Sequence, residues 1–317
     1  MDKKTISIAV PCYNEEENIE AFYNKVNKIM QGLSNYEYEF VFIDNKSTDR
    51  SRDILRQLAA QDSRVKVIFN QGNFGAGPSS AYGLLACEGD AVIGMACDLQ
   101  DPPELIPQFI DEWENGSQIV MARNSESEER GVVKYFRNWY YDLIEFFSGV
   151  QGFKHASGYG LYDKAVINEL RASADPAPVY RLTFMRYRYN PVFIDFKKPE
   201  REGGKSSYSF FTYFGMALES IATVSRKPIH IIAFAGAISA ILFAVLFIVM
   251  LVLSIVQGSF VFWGLLMVSL ICLGLSLTVL ALGIVGIYAS LSFEWTRSSP
   301  LVIEEKRLNW NDRVKKL

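Results

Sequence analysis

The side chains best suited to chemistry sit where apolar runs end. Residues 89–106 read GDAVIGMACDLQDPPELI, an apolar run that stops at Asp98, Gln100 and Asp101 before two prolines. Oxygen donors so grouped suit a hard divalent cation and a diphosphate, but the same residues could simply begin a helix. Asp101-Pro102-Pro103-Glu104 fits the helix account: Asp at the N-cap, Pro at the first helical position and Glu at the third make a capping box. Asp98 and Gln100 are not explained that way. They are either ligands or, respectively, a solvated strand-end carboxylate and a turn residue. Three further polar clusters follow apolar runs: Pro11-Cys12-Tyr13-Asn14-Glu15, Asp44-Asn45-Lys46-Ser47 and Asn73-Phe74-Gly75. Each has a structural account as well, with Asn14 and Glu17 as a capping box and Ser47 or Thr48 as a helix cap.

Other chemistries are excluded by composition. The four cysteines, Cys12, Cys87, Cys97 and Cys272, have no CxxC spacing, so neither a zinc site nor a disulfide framework is expected. His155 and His230 are the only histidines, which rules out a histidine-rich metal site and leaves little for a histidine-based triad. Gly72, Gly75 and Gly77 lack the G-x-G-x-x-G order, and no Walker A sequence occurs. A formal net charge of -3 gives no basic field for nucleic acid.

The elements that must position these clusters alternate. Strand patterns at Thr5–Val10, Tyr38–Asp44, Val65–Phe69, Ala91–Met95 and Ile119–Ala122 flank helical patterns near Glu16–Met30, Ser51–Ala60 and Gly77–Ala86. This order predicts an α/β fold with an open, mainly parallel sheet, whose ligands bind at the carboxyl ends of the strands. All four polar clusters fall at such ends.

Charge is absent from 228 to 293. Within that stretch, Ile229–Val256 and Phe260–Leu291 each exceed the roughly 20 residues a membrane-spanning helix needs, and only Gln257-Gly258-Ser259 separates them. Two transmembrane helices in a hairpin are expected. Arg226, Lys227 and Arg297 flank them, which puts both ends in the cytoplasm. Upstream, Phe210, Phe214, Ala217, Leu218 and Ile221 recur at helical spacing, either as an amphipathic helix at the membrane interface or as a core-facing helix. The N-terminus MDKKTISIAVPCYNEE enters a strand pattern with no signal peptide, placing the first part in the cytosol. The expected organisation is a catalytic domain at 1–208, a juxtamembrane helix at 209–227, the hairpin at 228–292 and a cytoplasmic tail at 293–317. Gly274, Gly283 and Gly286 would allow close helix packing in a homo-oligomer.

Taken together, P-x-Y-N-E, D-x-x-S-T-D, N-F-G and D-L-Q-D-P-P resemble the inverting family 2 glycosyltransferases of GT-A fold. With the two spans and Arg201-Glu202-Gly203-Gly204-Lys205-Ser206-Ser207-Tyr208, the chain resembles the polyprenyl-phosphate members, the bactoprenol glucosyltransferases related to dolichol-phosphate mannose synthase. The resemblance implies transfer of a sugar, by default glucose and otherwise N-acetylglucosamine or galactose, from a UDP-linked donor to undecaprenyl phosphate at the bacterial cytoplasmic membrane. It implies that Pro11, Tyr13 and Glu15 line the nucleoside pocket with Asp44 beside the base. Asp98 and Gln100 would hold Mg2+ or Mn2+, Asp101 would assist them, and Arg123, Arg201 and Lys205 would meet phosphates. An acceptor phosphate is already largely ionised near neutral pH, its second pKa being about 6, and needs no general base.

The chain also departs from that pattern. Ala96 stands where D-x-D has its first acid, Asn45 and Lys46 replace the second Asp and the Gly of D-D-G-S, Gly160 replaces an Arg, and Ser207 replaces the Lys of S-K-Y. These changes point to altered donor or metal handling. The rivals are a catalytically inactive nucleotide-sugar or lipid binder and a transferase using a lipid hydroxyl.

Overall fold

A computed structural model describes residues 3–124, 156–173, 189–197, 261–296 and 300–310, with isolated positions at 142, 146 and between 234 and 256. The chain divides into two compact units, one of 1–145, 150–207 and 298–317, the other of 146–149 and 208–297.

The first unit is built on an eight-stranded mixed sheet in the order β7-β5-β6-β4-β1-β2-β3-β8. Its parallel centre is β1 (Lys4–Cys12), β2 (Tyr36–Asp44), β3 (Val65–Asn70) and β4 (Ala91–Gly94). These strands are near-continuous runs of buried apolar residues, as strands covered on both faces must be. The connecting helices α1 (Ile19–Gly32), α2 (Ser51–Gln61) and α3 (Ala76–Ala86) supply the covering. Ile19, Phe22, Val26 and Met30 recur on one face of α1 and are fully or almost fully buried. Phe22 meets Phe42 edge-on, with ring centroids 6.1 Å apart.

The flanks add antiparallel pairings to the parallel centre, making the sheet mixed. β6 (Ala156–Asp163) runs antiparallel to both β4 and β5 (Ile119–Asn124), while β7 (Val192–Phe196) pairs parallel with β5. Between β4 and β5 lie a short 3-10 turn, Pro103–Leu105, and α4 (Ile106–Glu114); α5 (Lys164–Ser173) follows β6.

At the opposite edge, β8 (Glu304–Leu308) pairs antiparallel with β3. The C-terminal segment therefore contributes a strand, which its reading as a tail did not anticipate. Its sequence, EEKRL, carries no apolar alternation because it is an edge strand with one side toward water. Specific polar contacts dock it. Tyr82 donates to Glu304 Oε1 at 2.6 Å, Arg307 Nη2 donates to the Tyr82 hydroxyl at 3.3 Å, and Asn309 Nδ2 donates to the carbonyls of Ala59 and Val65. Burial and the Glu304 carboxylate push the Tyr82 hydroxyl up to about 12.

In the second unit, α6 (Val261–Thr296) is a 36-residue helix in which Glu294 is the single charged residue. Ile271, Leu275, Leu282 and Val285 on it are exposed, as are Ile241, Val245 and Val252 earlier in the chain. Among the described residues no helix is long and apolar enough to cross a membrane. The 257–259 turn and the 209–227 helix lie outside the described residues.

Candidate functional site

Strands β3, β2, β1 and β4 are contiguous and parallel, so their carboxyl ends share one edge of the sheet. All four polar clusters are brought to that edge.

The β1 and β2 loops are sewn together. Asn14 takes a left-handed backbone, φ 56°, and its side chain accepts from the Thr48 amide at 2.8 Å. In return, Ser47 Oγ accepts from the Asn14 amide at 3.0 Å and Ser51 Oγ from the Glu15 amide at 2.8 Å. Glu15 accepts from the Asn18 side chain at 2.6 Å. This corrects the capping expectations: neither α1, N-capped at Asn18, nor α2, N-capped at Arg50, has a side-chain cap bond. Asn14, Ser47 and Thr48 bridge loop to loop instead of starting their own helices. Pro11 is partly exposed and Tyr13 is 46% exposed, so the Tyr13 ring is open to a ligand.

At the end of β2, Asp44 is fully buried. Burial pushes its carboxyl above the usual range, while hydrogen bonding from Ser47 and the Arg52 guanidinium act in the opposite direction. Arg52 Nε lies 3.2 Å from Asp44, and its Nη2 lies 3.0 Å from Glu305 on β8. Lys46, left-handed at φ 64°, reaches the same Glu305 oxygen at 2.8 Å. A side chain in that backbone is strained by roughly 1–2 kcal/mol, which the Gly of the D-D-G-S pattern expected from the resemblance would avoid.

Asn45 is buried and uses both ends of its amide. Its Nδ2 donates to Asn73 Oδ1 at 2.9 Å, and its Oδ1 accepts from the Phe74 amide at 2.9 Å and from Asn70 Nδ2 at 3.3 Å. The loop after β3 is thereby tied to the loop after β2.

Beyond β4 the chain makes a tight turn through Leu99, φ 55°. Gln100 donates its amide to Asp98 Oδ1 at 3.2 Å, and both side chains are partly exposed. Asp101 is buried and accepts from the Ala96 amide at 3.0 Å. It does not cap: the 3-10 turn is N-capped at Pro102 without a side-chain bond, and Glu104 pairs with Lys25. The capping box expected at 101–104 is thus replaced by closure of the 96–101 loop. Tyr159, buried beneath this turn, donates to the Pro102 carbonyl at 2.9 Å and packs on Phe109.

Arg123 is held bidentately by Asp195 at 2.6 and 3.0 Å, directly across the β5–β7 register. Arg201, Lys205, His155 and Ser207 lie outside the described residues. Gly160 explains one departure outright. A Cβ there would lie 2.5 Å from the Val120 carbonyl oxygen, so no side chain, least of all Arg, fits this position. Sequence reasoning missed Arg52 and Glu305. The first hides in an ordinary helical stretch, and the second is brought to β2 from the far end of the chain.

Comparison with known proteins places this geometry. Residues 7–170, just over half the chain, match the model for "Glycosyl transferase family 2". The "SfII prophage-derived bactoprenol glucosyl transferase" of Shigella flexneri is 30% identical over 95% of this chain and 97% of its own. The "Uncharacterized glycosyltransferase YkcC" of Bacillus subtilis is 29% identical over 95% and 93%. Among solved structures, glucosyl-3-phosphoglycerate synthase from Mycobacterium tuberculosis in complex with uridine-diphosphate is similar at 19% identity, covering 70% of this chain and 79% of that one, with a TM-score of 0.46. The parallel centre of the sheet falls almost wholly within the matched residues, and the chain belongs to glycosyl transferase family 2.

Proposed function

We propose that this glycosyltransferase moves a hexose, glucose first among candidates, from a UDP-linked donor to undecaprenyl phosphate, inverting the anomeric centre. The observation that carries the reading is the extent of likeness to a bactoprenol glucosyl transferase. It spans 95% of this chain and therefore includes the charge-free C-terminal segment as well as the family domain.

A lipid acceptor requires the enzyme to work at a bilayer. Support comes from the run without charged side chains at 228–293, which is long enough in sequence for two crossings of roughly 20 residues each. The large apolar side chains exposed along it also lack a polar surface to face water. We read 229–256 and 260–291 as two spans of the bacterial cytoplasmic membrane, with the catalytic domain and both termini on the cytoplasmic side.

In this reading, Tyr13 and Glu15 beside Asp44 receive the nucleoside. Among the described residues, no three His, Cys, Asp or Glu side chains are grouped to hold a metal. The donor set at 98–100, one carboxylate and one amide, fits an Mg2+ or Mn2+ otherwise coordinated by donor phosphate and water. Such a cation, held by Asp98 and Gln100, would stabilise charge on the departing diphosphate. The lipid phosphate oxygen attacks the anomeric carbon from the face opposite the leaving group, and no side chain need remove a proton. Asp101 keeps the 96–101 turn closed, fixing Asp98.

The test uses the full chain in lipid nanodiscs containing undecaprenyl phosphate, a panel of nucleotide sugars and magnesium or manganese. An acid-labile lipid-linked sugar, lost in Asp98→Asn, is expected. No product across the panel, with donor binding intact, would instead make the protein a nucleotide-sugar binder. An acid-stable glycolipid would move the acceptor to a hydroxyl.

A further inference from the structure

Asp44 has no exposed surface, and a fully buried carboxylate must be held by fixed partners to present one charge state in one orientation. Its cationic partner is Arg52, whose side chain is 15% exposed and lies over the Phe69 ring at 4.7 Å. Neither Arg52 Nε nor Nη2 makes an aligned hydrogen bond, so the guanidinium is held by charge on two sides, Asp44 and Glu305. Glu305 in turn gathers Lys46, the one residue of this loop whose strained backbone buys it a charged side chain.

The outcome is a row, Asp44–Arg52–Glu305–Lys46, of alternating sign. Its third member arrives on a strand separated from the others by more than half the sequence. A guanidinium between two carboxylates is held from both sides; with Glu305 removed, Arg52 keeps only its place over Phe69 and the 3.2 Å approach to Asp44, which is not an aligned hydrogen bond. Glu305 alone, a partly exposed surface carboxylate, would add little stability. Its consequence lies in where it leaves Arg52.

We propose that Arg52 and Glu305 are positioning residues of the donor pocket, the C-terminal strand setting nucleotide affinity by holding Arg52 against Asp44. The proposal rests on the reading that the β2 end receives the nucleotide. It makes donor binding depend on one side chain, Glu305, carried by a strand that follows the last apolar helix.

The experiment measures uridine diphosphate affinity by calorimetry, and kcat and donor KM, on the full chain in nanodiscs. Arg52→Gln is expected to raise Kd and KM about tenfold and Glu305→Gln about threefold, with kcat within twofold of the parent. Glu305→Asp should recover most of the loss. Asn309→Ala is the control for strand docking: it removes bonds from the strand's far end to the Ala59 and Val65 carbonyls without touching the row. It should leave Kd unchanged. If Glu305→Gln matches the parent, or only equals Asn309→Ala, the proposal is overturned and Glu305 merely helps dock β8. Asp44→Asn separates the two levels. If that variant binds uridine diphosphate normally, the nucleotide reading of the β2 end fails; if it binds weakly while Arg52→Gln binds normally, only the positioning role fails.

Discussion

Asn45→Asp restores the second acid of the family's D-D-G-S pattern, yet in this chain it should destabilise, and by an amount that depends on pH. The wild-type amide donates to Asn73 Oδ1 and accepts from Phe74 and Asn70. An ionised carboxylate keeps both acceptor roles but faces Asn73 Oδ1 with no proton to give. The lost bond costs about 1 kcal/mol net. The new charge would also be buried next to Asp44, which is itself fully buried. Desolvation and a neighbouring like charge both raise a carboxyl pKa. A rise of about two units, modest for so buried a site, would correspond to about 2.7 kcal/mol. When protonated, the introduced carboxyl can donate to Asn73 as the amide did. The sign then follows from linkage. With the folded pKa above the unfolded value of about 3.9, the native state binds more protons between the two. Stability relative to the parent therefore falls as pH rises through that window and is flat above it. Because the protonated form keeps the Asn73 bond, the lost bond is part of that figure, and the expected deficit is about 3 kcal/mol at pH 8, shrinking to about 1 kcal/mol near pH 4.5. For a domain of this size, that is about 6–12 °C in melting temperature at the alkaline end. Paired thermal scans of parent and variant in detergent from pH 4.5 to 8 measure it. A deficit of equal size at every pH, or none at pH 8, refutes the reasoning.

Two other outcomes follow from the same geometry. Gly160→Ala would force β5 and β6 apart at the Met121 pairing, since its Cβ would sit 2.5 Å from the Val120 oxygen and 3.1 Å from Met121 Cα. A loss of about 2 kcal/mol or more is expected in chemical denaturation, and a neutral result would mean that the strands yield. Asp101→Asn weakens the charge-assisted bond to the Ala96 amide, worth about 1.5–3 kcal/mol. Transfer should fall while uridine diphosphate affinity holds, because the β1 and β2 loops do not depend on that turn; an equal fall in both would refute this separation.

What was legible in the sequence follows the range of the interactions. The central strands and α1 to α3 were placed to within a few residues, because a run such as Phe40–Ile43 or the Phe22, Val26, Met30 stripe records burial locally. The edge on which the polar clusters meet followed from their alternation with helices. The caps were misread because Asn14 and Ser47 each satisfy a backbone amide in the other's loop, more than 30 residues away, and Asp101 satisfies that of Ala96, five residues back, and a cap motif is silent about such partners. β8 was invisible because EEKRL is stabilised by Glu304, Arg307 and Asn309 finding Tyr82 and the α2–β3 connection, contacts that no periodicity encodes.

The departures from the family pattern bear on whether the site is decayed or rebuilt. A decayed site is expected to leave buried polar groups orphaned, since losing one partner of a buried contact costs more than never having it. Asn45 shows the reverse, with donor and acceptor both used. Lys46 accepts backbone strain and gains Glu305; Gly160 occupies a position that admits nothing larger. Ala96 supplies no carboxylate, but its backbone amide anchors Asp101 and so closes the turn that carries Asp98. Among the described residues, Asn45, Lys46 and Ala96 are each matched by a contact elsewhere in the same fold. The Asp98→Asn variant, which leaves those contacts in place, is therefore the decisive probe of transfer.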